Sequence, residues 1–155
     1  MATYPRDAYD QWADQYDTDA NDTRDRNADV LRNQTFLREN DVVLELGCGT
    51  GLNTEWLATQ AGHVVATDVS AEMLSRAQKR LGSDESVTIQ RLDAAEPWPF
   101  ETGRFDAVVA TLMLEHVEAL GPVFREARRV LRDGGGVLSR RTTSDPPVWR
   151  HASTL

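Results

Sequence analysis

Short apolar runs alternate with amphipathic segments from residue 41 onwards, and this alternation limits the fold more than any other feature of the sequence. Short apolar runs predict strands, whereas apolar residues three and four positions apart predict helices. Strands are predicted at 41–46, 63–68, 86–93, 105–112 and 137–139, and helices at 25–39, between residues 51 and 62, between Ser70 and Gly82, and at 118–131. Because strands that alternate with helices pair in parallel through right-handed crossovers, we expect an α/β fold with helices on both faces of the sheet.

The first predicted strand runs directly into three glycines, Gly47, Gly49 and Gly51. In open parallel sheets ligands bind at the carboxyl ends of the strands, and glycines there allow a sharp turn and the close approach of a ligand or a helix. A dinucleotide-binding turn has a glycine at the sixth position, where this chain has Leu52, and the Gly-Lys-Ser/Thr of a phosphate-binding loop is absent. The turn therefore indicates a different ligand, with a tight turn that binds nothing as the alternative.

Two aspartates follow the next two predicted strands. Asp68 ends the second strand, where a carboxylate can accept both hydroxyls of a ribose. Asp93 and Ala94 follow the third strand, where a carboxylate can accept the amine of an adenine while a backbone N–H meets a ring nitrogen. The structural alternatives are that Asp68 binds Ser70 and the start of the next helix, and that Asp93 is a solvated loop residue.

Taken together, these motifs resemble those of a known family. ELGCGTG, ATDVS, LDAAEPWPF, FDAVVATLMLEHV and ARRVLRDGGG occur in the order found in class I S-adenosylmethionine-dependent methyltransferases, from about residue 8 to residue 136. The subgroup resembled is the small-molecule enzymes of ubiquinone/menaquinone-biosynthesis type. The resemblance implies a Rossmann-like three-layer αβα sandwich with sheet order 3-2-1-4-5. It also implies S-adenosylmethionine as cofactor and transfer of a methyl group to a small-molecule acceptor.

The same resemblance implies which residues contact the cofactor. The glycine turn would pass under the methionine part, Asp68 would hold the ribose, and Asp93 with Ala94 would face the adenine amine. The full set of expected cofactor contacts is Glu45, Gly47, Cys48, Gly49, Gly51, Asp68, Val69, Met73, Asp93, Ala94, Thr111, Leu112, Tyr9, Trp12 and Tyr16. The last three recur at helical spacing and would help to cover the site; burial as ordinary core is the alternative for them.

Methyl transfer itself needs little chemistry from the protein. A methylsulfonium is already a strong electrophile, so the protein chiefly aligns the acceptor and excludes water. His116 follows the fourth strand, where an acceptor would enter, and is the candidate catalytic base. The alternative is that it hydrogen-bonds the loop or the cofactor edge. Since Cys48, His63 and His151 do not form a ligand set with metal-site spacing, we expect no metal, and we expect Cys48 to be a small loop residue.

Composition limits the partners and the cellular location that we expect for this protein. The formal net charge of −8 argues against nucleic acid as a partner. No run of about 20 apolar residues and no signal peptide is present, which favours a cytoplasmic protein without a membrane partner. Only one of 17 basic residues is lysine, which favours a salt-adapted protein or, alternatively, a GC-rich genome.

The end of the chain has a different character. After Gly136 the resemblance stops, two arginines end the apolar run at 139, and residues 124–155 carry seven arginines against three acids. We therefore divide the chain into an N-terminal helical cap (1–40), a cofactor-binding core (41–139) and an irregular tail (140–155). A reading-frame shift near 136–138 would explain the tail, with strands 6 and 7 of the family fold missing. The alternative is a native five-stranded domain whose exposed sheet edge is covered by a partner, for example in a homodimer.

Two other functions stay open from the sequence. A truncated chain could bind the cofactor without catalysing methyl transfer. A nicotinamide-dependent oxidoreductase would also need a glycine turn and an acid after the second strand, but the residue at position 52 counts against it.

Overall fold

The structure is a computed structural model that describes residues 28–29, 31–33, 36–141 and 144–155. The predictions for Tyr9, Trp12 and Tyr16 lie outside these residues. Within them, no helix combines the length and the apolar character that crossing a membrane requires.

One sheet of six strands organises the described part of the chain. The strands are β1 (Val42–Leu46), β2 (His63–Asp68), β3 (Val87–Arg91), β4 (Phe105–Thr111), β5 (Leu131–Arg140) and β6 (Val148–His151). Their order is β3-β2-β1-β4-β5-β6, and the first five are parallel. The predicted α/β class and the predicted order 3-2-1-4-5 are therefore confirmed.

Helices connect β1 to β2, β2 to β3 and β4 to β5. They are α1 (Leu52–Gln60), α2 (Ala71–Leu81) and α3 (Leu120–Val130), with short 3-10 helices at Leu114–His116 and Ala152–Thr154. Ser70 caps α2 as predicted, because its hydroxyl accepts the N–H of Met73 at 3.1 Å. The predicted helix at 118–131 is shorter in the structure, since Leu131 already belongs to β5.

The core lies on both faces of the sheet. On one face Leu44 and Leu46 of β1 pack in a cluster that includes Val123 and Ala127 of α3. On the other face Val43, between those two leucines, packs in a cluster with Leu31 and with Leu57 of α1. Since successive side chains of a strand point to opposite faces, this alternation produces the three-layer αβα arrangement.

The end of the chain differs from the prediction of an irregular tail. Val148–His151 forms β6, which pairs antiparallel with β5, so the prediction that no sixth strand follows β5 is wrong. Gly136 permits this pairing, because a Cβ there would lie 2.6 Å from the ring of Trp149. β5 itself spans ten residues instead of three. Edge pairing depends on backbone groups, so a segment without an apolar pattern can form it.

Arg140 explains why β5 is longer than the sequence predicts. An arginine at this position predicts the end of the strand, since charged side chains are rarely buried. In the structure its side chain is only 5% exposed, and its Nε donates to the carbonyl of Asp145 at 2.9 Å. The loop before β6 thus binds the charged group, and β5 continues to this residue.

Candidate functional site

The carboxyl ends of the parallel strands bring the predicted site residues to one edge of the sheet. Leu46 of β1 lies beside Thr67 of β2 and Ala110 of β4, and Asp68 of β2 lies beside Arg91 of β3. The segments that follow these residues therefore leave the sheet at the same edge. The predicted site residues that the structure describes lie in these segments or near the ends of the strands.

The three glycines of the turn after β1 have different structural roles. Gly47, Gly49 and Gly51 all have positive φ angles, of 71°, 55° and 91°, which side chains other than glycine rarely tolerate. A Cβ at Gly47 would lie 2.7 Å from Cβ of Met113, and a Cβ at Gly51 would lie 2.8 Å from Cδ1 of Leu81. A Cβ at Gly49 would have no atom within 4 Å. Two of the glycines thus allow close packing within the protein, and the middle one faces open space.

Asp68 connects this turn to the start of α2. Its Oδ2 accepts the N–H of Gly49 at 2.9 Å, and its Oδ1 accepts the N–H of Ser70 at 2.9 Å. The contact with Ser70 is the one that the alternative, purely structural role of Asp68 predicts. A carboxylate oxygen can accept more than one hydrogen bond, so a carboxylate at this position is chemically suited to ligand hydroxyls.

A backbone hydrogen bond holds the segment with Asp93 close to Asp68. The N–H of Leu92 donates to the carbonyl of Asp68 at 3.0 Å, which ties the end of β3 to the end of β2. The Asp93 carboxylate accepts the N–H of Ala95 at 3.0 Å and is half-buried, and Ala94 is 9% exposed. Asp93 therefore lies in a hydrogen-bonded turn next to Asp68.

Glu45 lies in the interior beneath the glycine turn. Its side chain is 2% exposed and accepts the hydroxyl of Thr54 at 2.5 Å, while its own carbonyl accepts the hydroxyl of Thr67 at 2.7 Å. Burial raises the pKa of Glu45 to about 7; the Thr54 hydrogen bond opposes this shift and the charge of Asp68 adds to it. Glu45 thus links β1 to the first turn of α1 through Thr54, a contact that its sequence position did not reveal.

Cys48 is enclosed in the same turn. Its Sγ donates to the carbonyl of Gly49 at 3.6 Å, and its N–H donates to the carbonyl of Thr67 at 2.8 Å. Burial raises the pKa of the Cys48 thiol, and the charges of Glu45 and Asp68 raise it further. A protonated, buried thiol is a poor nucleophile, which agrees with its interpretation as a small loop residue.

Val69 and Met73 flank the start of α2. Met73 is 1% exposed and belongs to the core. Val69 is half-buried, and its carbonyl accepts a hydrogen bond from Nε of Arg91 at 3.0 Å. Of these two predicted contacts, only Val69 lies partly at the surface.

The fourth strand ends in an unusual backbone conformation. Leu112 has a φ of 56°, the only positive φ of a non-glycine residue in the described ranges. Its N–H donates to the carbonyl of Arg140 at 2.8 Å, and Thr111 pairs with the same residue. Met113 then packs against Gly47. The sequence placed Thr111 and Leu112 at the site, but the contact of Met113 had no signal in the sequence.

His116 ends the short helix after β4. Its Nε2 lies 3.4 Å from Oε1 of Glu115, and its side chain is 27% exposed. Its N–H donates to the carbonyl of Met113, which ties this helix to the glycine turn through Met113. His63 lies at the start of β2, at the opposite end of the sheet, where its Nε2 is 2.8 Å from the hydroxyl of Thr88. In the part of the chain that is described, no three His, Cys, Asp or Glu side chains could hold a metal ion together.

Comparisons with known proteins agree with this architecture. A family model described as a methyltransferase domain matches residues 44–139. A demethylmenaquinone methyltransferase of Clavibacter sepedonicus is 37% identical over 106 residues, which are 68% of this chain and 42% of the relative. A malonyl-[acyl-carrier protein] O-methyltransferase of Legionella pneumophila subsp. pneumophila is 33% identical over 114 residues, 72% of this chain and 39% of the relative. The chain thus spans less than half the length of these curated relatives.

Solved structures give the same result. The crystal structure of an S-adenosylmethionine-dependent methyltransferase from Mesorhizobium loti superposes with a TM-score of 0.65 at 28% identity, covering 72% of this chain and 51% of that chain. The family match covers the glycine turn, both aspartates and the end of β4. The chain therefore belongs to the class I S-adenosylmethionine-dependent methyltransferases, the family that its motifs resemble, and the cofactor of this family is S-adenosylmethionine.

Proposed function

We propose that this chain forms the cofactor-binding part of a methyltransferase that transfers a methyl group from S-adenosylmethionine to a small-molecule acceptor. The observation that carries this proposal is the hydrogen bond between Asp68 and the N–H of Gly49. It places a carboxylate suited to ribose hydroxyls beside a turn that is open at its middle glycine.

The residues present fit the cofactor in three places. The glycine turn from Gly47 to Gly51 would lie under the methionine part, with the side of Gly49 facing it. Asp68 would accept the ribose hydroxyls. The Asp93 carboxylate and the backbone at Ala94 would meet the adenine edge, since a carboxylate accepts from an amine and an N–H donates to a ring nitrogen.

The remaining predicted contacts have lesser roles in this proposal. Val69 would pack on the adenine, and the buried Met73 would support it from the core. Thr111 and Leu112 would border the methionine part. Glu45 and Cys48 would shape the turn from within the protein, since both are buried.

The bound cofactor supplies an electrophilic methyl group. The protein then has to hold the acceptor in line with that group and exclude water. We assign His116 as the candidate base for an acceptor hydroxyl or carbon acid, because it lies after β4 and is partly exposed beside Glu115. A small-molecule acceptor is supported by the relatives, one of them named for demethylmenaquinone, and by the acidic net charge.

Titration calorimetry with S-adenosylhomocysteine and with NAD tests the proposal directly. We expect binding of the former and not of the latter. A methyl-transfer assay with S-adenosylmethionine labelled in its methyl group and a panel of quinol acceptors then separates an enzyme from a chain that only binds the cofactor. Binding of NAD alone would overturn the proposal in favour of an oxidoreductase.

A further inference from the structure

Helix α3 holds the loop that follows the Asp93 turn. Oε2 of Glu126 accepts the N–H of Trp98 at 2.8 Å. Arg129 donates from Nη2 to the carbonyl of Trp98 at 3.0 Å and from Nη1 to the carbonyl of Phe100 at 2.7 Å. The two side chains also bind each other through Nε and Nη2 of Arg129, at 2.8 Å each. We call Glu126 and Arg129 the α3 clamp.

The clamped loop reaches back to the site through one side chain. Nε1 of Trp98 donates to the carbonyl of Ala94 at 3.1 Å. The Trp98 side chain is 4% exposed and packs in the same core cluster as Phe100 and Phe105. Because an indole N–H that is buried needs an acceptor, this hydrogen bond fixes both the ring and the carbonyl that it meets.

Asp93 and Ala94 therefore lie between two anchors. On one side the N–H of Leu92 donates to the carbonyl of Asp68, and on the other side Trp98 binds the carbonyl of Ala94. Between these anchors, the Asp93 carboxylate accepts the N–H of Ala95. The turn is thus connected to the end of β2 through Leu92 and to helix α3 through Trp98.

We propose that Trp98, held by the α3 clamp, is a positioning residue that sets the geometry of the Asp93–Ala94 turn for the adenine of the cofactor. This inference rests on the proposed function, because it assumes that the turn receives a nucleoside. Trp98 contacts the turn at Ala94, and we expect it to act on cofactor binding only through that turn. A turn held in its binding conformation loses less conformational freedom on binding, so its affinity for the ligand is higher.

The test compares two substitutions in the same core cluster. Trp98→Phe removes the N–H donor and keeps an aromatic ring, whereas Phe100→Leu alters the cluster without removing the bond to Ala94. We expect Trp98→Phe to weaken S-adenosylhomocysteine binding by about 5- to 10-fold, because the turn would then have to be ordered on binding, and Phe100→Leu to change it by less than about 2-fold. Equal weakening by both variants would contradict the inference, since it would then reflect core packing alone.

A double-mutant cycle separates a positioning role from a general structural role. If Trp98 acts through the turn, Trp98→Phe should have little further effect on binding in an Asp93→Ala background and its full effect in an Asp68→Ala background. Additive effects with Asp93→Ala would contradict the inference.

A second measurement uses the free protein and needs no cofactor. The N–H groups of Ala95 and Glu96 donate to Asp93, so we expect Trp98→Phe to speed their hydrogen exchange while the amides of β1 stay protected. Unchanged exchange at both amides would contradict the inference even where binding is weaker.

The outcomes also distinguish this inference from the proposed function. A wild-type chain that binds no S-adenosylhomocysteine would contradict both. A wild-type chain that binds, together with a Trp98→Phe variant that binds equally well, would contradict the inference alone.

Discussion

The carboxylate of Asp68 accepts the backbone N–H of Gly49 at 2.9 Å, so the end of β2 and the turn after β1 form one unit. The other oxygen of the same carboxylate accepts the N–H of Ser70, which in turn caps α2. Asp68 therefore has a structural role, and it is also a residue of the candidate site. Any substitution of this residue has to be interpreted with both roles in view.

Asp68→Ala should weaken S-adenosylhomocysteine binding by on the order of 1–3 kcal/mol, because the ribose hydroxyls would lose their acceptor. Asp84→Ala is a matched control, since the Asp84 carboxylate also accepts backbone and hydroxyl donors, from Ser86, but lies before β3 at the other end of the sheet. Calorimetry gives the affinities and thermal unfolding gives the stability of each variant. An Asp68→Ala protein that folds and binds normally would remove Asp68 from the site.

Gly49→Val should abolish cofactor binding, because the branched side chain would occupy the open space beside the turn. The positive φ of Gly49 adds a backbone cost on the order of 1–2 kcal/mol, which has to be separated from the effect on binding. Gly103→Val supplies the comparison, since Gly103 also has a positive φ, of 70°, and open space at its Cβ. We expect similar losses of stability from the two substitutions and a loss of binding from Gly49→Val only. Normal binding by a folded Gly49→Val variant would show that the turn does not approach the cofactor.

Glu45 should make the protein less stable as pH rises. Its pKa is about 7 in the folded state against an ordinary 4.5, so between these values the folded protein holds a proton that the unfolded chain has released. Stability is then lost as pH rises through this window, by on the order of 3 kcal/mol in total. Glu45→Gln should remove that decline in urea unfolding at pH 5 to 8, whereas Glu55→Gln, at an exposed position of α1, should not. A decline of the same size in Glu45→Gln would assign the effect to another group.

The α3 clamp should stabilise the protein above the acid range. Hydrogen bonds from Arg129 lower the pKa of Glu126 to about 2 against an ordinary 4.5, and the N–H of Trp98 also lowers it. The contribution of Glu126 is therefore complete above about pH 4.5 and is lost as pH falls towards 2. We expect the difference in unfolding free energy between wild type and Glu126→Gln to shrink over that range. Glu118→Gln, at an exposed position before α3, should differ little from wild type throughout, and a constant difference for Glu126→Gln would contradict this assignment.

The order of the parallel strands and the region of the candidate site were predictable because the patterns behind them are local. An apolar run, a glycine turn and a capping serine each lie within a few neighbouring residues, and parallel pairing then brings the strand ends together. Ser70 as the cap of α2 and Asp68 as a residue at the end of β2 are results of this kind.

Contacts between distant segments decided what the sequence could not. The sequence does not distinguish Gly47 and Gly51 from Gly49. Only the approach of Met113 and Leu81 shows that Gly47 and Gly51 serve packing. Likewise β6 forms through backbone pairing with β5, which leaves no side-chain pattern to detect.

The sequence by itself thus determined the fold class, the family and the edge of the sheet where the candidate site lies, since these follow from local periodicity and motif order. The tertiary structure decided that Glu45 is buried with a raised pKa. It also decided that Trp98, whose backbone N–H donates to Glu126 of α3, binds the carbonyl of Ala94. The physical reason is that burial and hydrogen-bond partners depend on which distant segments pack against a residue, and spacing along the chain does not carry that information.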